Sequence, residues 1–466
     1  MSSTFIALPL TNGDAFLLRT KDKSGKSWNI LVDSGKKYGK NTRELALILS
    51  QVSPKVEHVD IAICTHQDAD HANGFWYFAE DWYDMGRTIG EYWLPGRWAN
   101  AMPAILTDPS EFSARLMDGA EEASLQSMQG DFLERSTSFR DSSDILMPEE
   151  KLQLFALHNE VFSEEKSNVR VNSNEEENGS ELGLARSFGL SEEELSRFKE
   201  DIEETDDTLD PLAVTLDISN YQLPRLAYYF ERVEKRAEFF QVEAESRKFF
   251  AEAMDTAKAI RKISISAINH NIRVRWFDFG KFKSSEMPSG GNPGLLEPLC
   301  SVEVEPVPHS MQKMSNIALF VSLRLSRQNV ESLVFYRPED QDSPGVLFLG
   351  DSRLAYGVNR PEENFPLNHD RPKRKIIVTA PHHGSDKNDR AYKVLEEWLD
   401  DNEPIFIRNG GQSNQKLNAY LQYENRRCAQ CVQCHGKTWN QWVAVNAYAG
   451  DWQWPPKADA CGIPRI

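Results

Sequence analysis

The chain's architecture is most legible in VDIAICTHQDADHANG, residues 59–74. The first half is a near-continuous apolar run with β-branched residues, the pattern of a strand buried on both faces. The second half places His66, Asp68, Asp70 and His71 within six residues. Four such groups at this spacing cannot share one face of a helix, because residues i and i+2 point apart. They fit a loop leaving a strand end, where the backbone can aim them at two adjacent ions. Burying them unpaired would be costly, and a bound cation removes that cost.

The same layout recurs along the chain. NILVDSG runs into Asp33, GVLFLGDS into Asp351, and KIIVTAPHHGS into His382 and His383. In α/β sheets ligands gather at the carboxyl ends of strands, so these groups are expected to meet in one cleft. Short strand-like runs separated by Asn-Gly and Ser-Gly turns open the chain. Strand character returns at ISISAINH, IRVRWFDF, SVEVEPV, NIALFVSLRL, ESLVFYR, GVLFLGD and KIIVTA.

His66, Asp68, Asp70 and His71 resemble the H-x-[HD]-x-D-H signature of metallo-β-lactamase-fold hydrolases. THQDADHANG is similar to the variant of the ComEC-like branch, whose membrane members are DNA-uptake proteins. PLTNGDAFLL, with Gly13-Asp14, resembles the opening strand of that branch, and ILVDSG its second. SNIALFVSLRL, with Asn316, resembles an Asn-containing strand, and VLFLGD and APHHGS resemble the later motifs. The matches occupy roughly residues 5–85 and 300–390. The resemblance implies an α/β fold, the metallo-β-lactamase αββα sandwich, here with a large, mostly helical insertion. The expected boundaries are 1–100 for the first half of that fold, 101–262 for the insertion, 263–403 for the second half, and 404–466 for a Cys/Trp-rich extension.

The resemblance also implies a dinuclear centre. His66 and Asp68 would hold one ion. Asp70, His71 and either His382 or His383 would hold the second, with Asp351 bridging. Asp33 would orient His66 or its loop from behind. The third superfamily histidine has only His309 and His270 as candidates by order. Asp68 in place of a histidine makes the first site harder, favouring Mn²⁺ or Mg²⁺ over Zn²⁺ without excluding zinc. Two divalent ions bring four positive charges. Asp68, Asp70 and Asp351 offset three, so an anionic phosphodiester is not repelled. The catalytic set is then Asp70, His382 and His383, with the histidine that is not a ligand as proton donor. Ser385 either binds a substrate phosphate or caps the helix that follows. Arg408, at the end of the next apolar strand, is a candidate anion clamp.

Composition constrains the rest. The chain has 466 residues, 40% of them hydrophobic, and a net charge of −18. That is enough apolar material for a large core, and too acidic for broad, unaided nucleic-acid binding. No apolar run of membrane-spanning length and no signal-peptide pattern is present, so a cytoplasmic protein with no membrane association is expected. Cys428, Cys431, Cys434 and His435, with Cys461, have spacing that suits structural zinc or reduced thiols. Residues 158–210 are polar and acidic, with a capping-box pattern at Ser191. Residues 224–262 read as a long amphipathic helix.

The expected activity is metal-dependent phosphodiester hydrolysis, most directly by a nuclease. Its nucleic acid would be delivered or gated by a partner protein, as in an effector of bacterial antiphage defence. The alternatives are hydrolysis of a small phosphoester, thioester or lactone, and a non-catalytic scaffold stabilised by metal.

Overall fold

The computed structural model describes residues 3–10, 13–36, 44–119, 181–204, 253–308, 314–323, 331–355, 367–409, 416–429 and 442–453, apart from 110, 254, 255, 286, 368 and 401. The chain is an α/β protein. Its strands are β1 (Thr4–Ala7), β2 (Phe16–Lys21), β3 (Ser27–Val32), β4 (His58–Ile63), β5 (Thr88–Pro95), β6 (Arg273–Asp278), β7 (Glu297–Pro298), β8 (Val302–Val304), β9 (Phe335–Arg337), β10 (Val346–Phe348), β11 (Ile377–Thr379), β12 (Ile405–Arg408), β13 (Arg426–Cys428), β14 (Val443–Tyr448) and β15 (Asp451–Gln453). They form two mixed sheets. The larger has the order β15-β14-β1-β2-β3-β4-β5-β6-β8, and the smaller β13-β12-β11-β10-β9-β7.

Strand alternation sets the layering. Phe5, Phe16, Leu18, Ile30, Val32, Ile61 and Ile63 of the larger sheet share a core with Phe335, Val346, Phe348, Ile377 and Ile407 of the smaller. The two sheets therefore pack face to face. The intervening residues Leu17, Leu31 and Ala62 are fully buried on the other face of the larger sheet. There the turn and helix at residues 73–84 lie across β5, with Phe75 edge-on to Tyr92 and Phe78 beside Trp82. On the far face of the smaller sheet, helix Asp389–Leu399 presents Tyr392, Leu395 and Trp398 to Leu347, Val378 and Phe406. The order of layers is helix, sheet, sheet, helix. Strands covered on both faces must be apolar at every position, which is why they read as continuous runs.

The chain divides into two compact units. The first, comprising residues 1–97, 262–305 and 327–466, holds both sheets. The second comprises residues 98–261 and 306–326. Its regular elements among the described residues are helices, including Glu181–Ser187 and Glu192–Glu204. The latter opens with a reciprocal capping box. The Ser191 backbone N–H donates to Glu194 Oε2 at 2.8 Å, and the Glu194 N–H to Ser191 Oγ at 3.1 Å.

Three expectations differ from the structure. NIALFVSL is helix Asn316–Leu323, in the second unit, not an Asn-bearing strand before the late Asp. ISISAINH lies in a helix spanning residues 256–269. Both are short apolar runs, and periodicity alone cannot separate a buried strand from a buried helix. The stretch from residue 404 is no appendage either. β12 pairs in parallel with β11, and β14 pairs with β1, so it completes both sheets. Most of the segment read as one long helix, 224–262, and of the polar segment 158–210 lies outside the described residues. Among the described residues, no helix is long and apolar enough to cross a membrane.

Phe348 sits between the sheets with its ring stacked on Phe5 at 6.0 Å. Phe348→Ala is expected to cost about 3–5 kcal/mol, read as a lowered urea midpoint at unchanged m-value.

Candidate metal centre

The strand ends bring three histidines to one place, each with its ring held from behind. Asp33 follows β3 in the left-handed region, at φ 59°. Its buried carboxylate accepts the Thr65 backbone N–H at 2.8 Å and lies 2.8 Å from His71 Nδ1. The Thr65 hydroxyl lies 2.9 Å from each Asp33 oxygen and 2.9 Å from His66 Nδ1. His383 Nδ1 is 2.9 Å from the Asn409 carbonyl and 3.1 Å from Asp14 Oδ1.

These partners assign the tautomers. A carbonyl or carboxylate can only accept, so His71 and His383 carry their protons on Nδ1. Thr65 has one hydroxyl proton, which goes to Asp33. It must therefore accept from His66, which places that proton on Nδ1 as well. In the neutral rings of His66 and His71 this leaves Nε2 as the lone pair that can bind a metal, while His383 Nε2 lies 3.0 Å from Asp70 Oδ2.

The Nε2 atoms of His66 and His71 are buried without a hydrogen-bond partner. His71 Nε2 stands 3.2 Å from Asp351 Oδ1. His66 Nε2 stands 3.6 Å from Asp351 Oδ2 and 3.7 Å from Asp68 Oδ2. Atoms bound at about 2.0–2.2 Å to one ion, at angles of about 90–120°, lie about 2.8–3.8 Å from each other, so these separations suit shared ions. Two groups could hold an ion: Asp14, His71, Asp351 and His383, and His66, Asp68 and Asp351. Asp351 belongs to both. The buried imidazoles and carboxylates thus fit a metal centre.

Asp14 is the residue that sequence reasoning missed as a ligand. It sits in a Gly-Asp turn, and nothing in its spacing distinguishes it from an ordinary turn residue. Gly13 is required beside it: φ is +91°, and a Cβ there would lie 2.0 Å from the Asp70 carbonyl oxygen. The Asp14 N–H donates to that same oxygen at 3.0 Å. Asp70 reaches His383 instead, with Oδ2 3.0 Å from Nε2.

The His382–His383 pair divides its roles by exposure. Both residues have positive φ, 49° and 53°, a costly backbone for non-glycine residues. His383 is buried within the first group. The His382 side chain is more open, with Nδ1 3.7 Å from Asp351 Oδ2.

Other candidates lie elsewhere. Ser385 is a cap, its hydroxyl accepting the Lys387 backbone N–H at 3.3 Å. Arg408 is fully buried, with its guanidinium 5.7 Å from the Tyr420 ring centroid, so it is no exposed clamp. His270 stacks on Tyr83 at 4.0 Å. Cys428 is buried in an apolar cluster. His309, Cys431, Cys434, His435 and Cys461 lie outside the described residues. Sequence reasoning also overlooked Asn388, whose side-chain amide donates to the Asp351 carbonyl at 2.6 Å and fixes that loop.

Burial opposes charge on each histidine, and neighbouring carboxylates reverse that effect. Burial and the His71 ring would lower His66, yet Asp351 and Asp68 bring it up to about 9. Burial likewise opposes protonation of His71 and His383. Asp351 and Asp33 outweigh it for the first, Asp14 and Asp70 for the second, and both rise well above the usual histidine range. Burial would raise Asp351, but His71 and His66 hold it well below the usual carboxylate range. Burial would also raise Asp70, and His383 and His71 hold it down. His382 goes the other way, pushed down chiefly by burial.

Comparison with protein-family models, curated proteins and solved structures finds no match.

Without metal, His66 carries a proton at neutral pH, whereas metal binding needs the neutral ring. Metal uptake at pH 7 is therefore expected to release protons, and affinity should climb as pH rises through about 9. Calorimetry in buffers of differing ionisation enthalpy measures the release. The metal-free protein is expected to show the opposite trend: its His66 contribution to stability should be complete below the unfolded value and fade as pH rises through about 9.

Proposed function

We propose that this chain is a metal-dependent phosphodiesterase on a metallo-β-lactamase-type sandwich, of the ComEC-like branch, acting as a nuclease. The observation that carries the reading is the pair of buried imidazoles, His66 and His71, whose Nε2 atoms face Asp351 without hydrogen bonds. Buried polar atoms without partners are costly, and divalent ions would satisfy both at once. The helix–sheet–sheet–helix layering supports the same reading.

His66, Asp68 and Asp351 would hold one ion. His71, Asp351 and His383, with Asp14 or Asp70 at the margin, would hold the other. Bound divalent ions, whether manganese, magnesium or zinc, polarise phosphoryl oxygens and lower the pKa of water. The chain's own groups do the remaining work. The carboxylates of Asp68, Asp70 and Asp351 bring the site near neutrality, so a phosphodiester is neither repelled nor trapped. Asp33, Thr65 and Asn409 fix the imidazole rings before substrate arrives, so no reorganisation is needed during reaction. His382, the more open of its pair, is the group that can pass a proton to the leaving oxygen.

The net charge of −18 disfavours unaided binding of a polyanion. Arg371, Lys373, Arg374 and Lys375 form a basic run before the His-His motif, but its two arginines are engaged within the protein. Arg371 pairs with Asp400 at 2.9 Å, and Arg374 bonds Glu339 and the Gly450 carbonyl. The nucleic acid is therefore supplied by a partner protein, in keeping with a cytoplasmic effector of antiphage defence.

Incubation with single- and double-stranded DNA and RNA, with Mn²⁺, Mg²⁺ or Zn²⁺, tests this. Asp351→Ala is expected to abolish cleavage and metal binding together. His382→Ala is expected to lower kcat by about 10²–10⁴ with metal content unchanged. Absence of nucleic-acid cleavage, alone and with proteins encoded beside it, sinks the nuclease reading. Turnover of a small phosphoester, thioester or lactone would then point to that alternative, and bound metal without turnover to a scaffold.

A further inference from the structure

We propose that Thr65 is a positioning residue that links the Asp33 carboxylate to His66 and so orients one of the two metal-holding groups independently of the other. The inference rests on the metal-centre reading above and adds a division of labour within it.

Thr65 lies between a carboxylate and an imidazole, and its hydroxyl has only one proton to give. Both Asp33 oxygens are 2.9 Å from Oγ1, and a carboxylate offers no proton in return. The proton is committed to Asp33. Oγ1 then presents lone pairs to His66 Nδ1 at 2.9 Å, and only the tautomer protonated on Nδ1 can use them. His66 Nε2 is left to face Asp68 and Asp351.

The surroundings hold this residue closely. Thr65 is fully buried, and its backbone N–H is anchored on Asp33 Oδ1 at 2.8 Å. Its carbonyl accepts the Leu333 N–H at 2.9 Å. Gly350 packs directly on it, so closely that a Cβ there would lie 2.7 Å from Oγ1.

His71 receives its orientation differently. Asp33 Oδ2 takes its Nδ1 proton directly at 2.8 Å, with no hydroxyl between. One carboxylate thus serves both rings through two separate arms. Removing the Thr65 hydroxyl cuts the arm to His66 and leaves the arm to His71 intact. The group of His66, Asp68 and Asp351 should weaken, while that of Asp14, His71, Asp351 and His383 should not.

The test compares wild type, Thr65→Val and Thr65→Ser by calorimetric titration with Zn²⁺ and Mn²⁺, with Tm of the metal-free protein as a folding control. Wild type is expected to take up two ions. Thr65→Val should retain one with unchanged affinity and bind the other about 10–100-fold more weakly. Thr65→Ser, which restores a hydroxyl, should recover both. In zinc-loaded, ¹⁵N-labelled protein, the His66 Nδ1 proton should be seen in wild type and Thr65→Ser and lost or shifted in Thr65→Val. A uniform loss of both ions in Thr65→Val, or unchanged binding of both, overturns the inference. Failure of Thr65→Ser to restore the weakened ion also overturns it. Selective loss of one ion in a protein that cleaves no nucleic acid would sustain this inference while refuting the nuclease reading. Two tight ions in an active Thr65→Val enzyme would do the reverse.

Discussion

A single buried carboxylate organises the centre of this molecule. Asp33 is almost wholly removed from water, yet it accepts the Thr65 N–H, the Thr65 hydroxyl and the His71 Nδ1 proton. Each of these bonds offsets part of the cost of burying the charge. Together they join the ends of two adjacent parallel strands, β3 and β4, whose register pairs Val32 with Ile63. The backbone reinforces the link where the Asp33 N–H donates to the Ile63 carbonyl at 2.8 Å. The positive φ at Asp33 is tolerated because so many partners determine it. Without this residue, the loop carrying His66 to His71 would lose its common anchor.

The strand-end pattern was the legible part. Apolar runs closing on Asp33, His66, Asp351 and His383 lie at the ends of β3, β4, β10 and β11, because strands buried on both faces leave their polar residues only where they emerge. The partners that orient the candidate ligands were not legible. Thr65 reads as the last residue of an apolar run, Asn409 as a loop amide, and Asp14 as half of a turn. Their importance comes from contacts across large sequence separations, such as Asp14 to His383, which no local pattern encodes. The same limit explains NIALFVSL. An eight-residue apolar run satisfies a buried strand and a buried helix alike, and tertiary packing decided for the helix.

Both sheets must be present for the centre to exist. His66, Asp68, Asp70 and His71 come from the larger sheet, and Asp351, His382 and His383 from the smaller. The apolar layer between them, with Phe5 against Phe348 and Trp93 against Phe335, sets how the two sets of loops meet. The Gly13–Asp14 turn ties them at the rim, since Asp14 touches Asp70 through its backbone and His383 through its side chain. The C-terminal strands matter for the same reason. β12 leads to Asn409, whose carbonyl holds His383 and whose side-chain amide reaches the Leu8 carbonyl beyond β1.

Strain at the His-His turn follows from that geometry. Two consecutive non-glycine residues in the left-handed region cost about 1–3 kcal/mol each. An ordinary turn would relax them. Here the His382 N–H donates to the Gly350 carbonyl, the Ser385 N–H to the His382 carbonyl, and Asn388 to the Asp351 carbonyl, so the turn and the Asp351 loop brace each other. The left-handed turn also separates the fates of two adjacent histidines. His383 is driven inward onto Asp14 and Asp70, while His382 stays more open beside Asp351. A relaxed turn would lose that division, and with it the burial of one imidazole among carboxylates beside a more open neighbour.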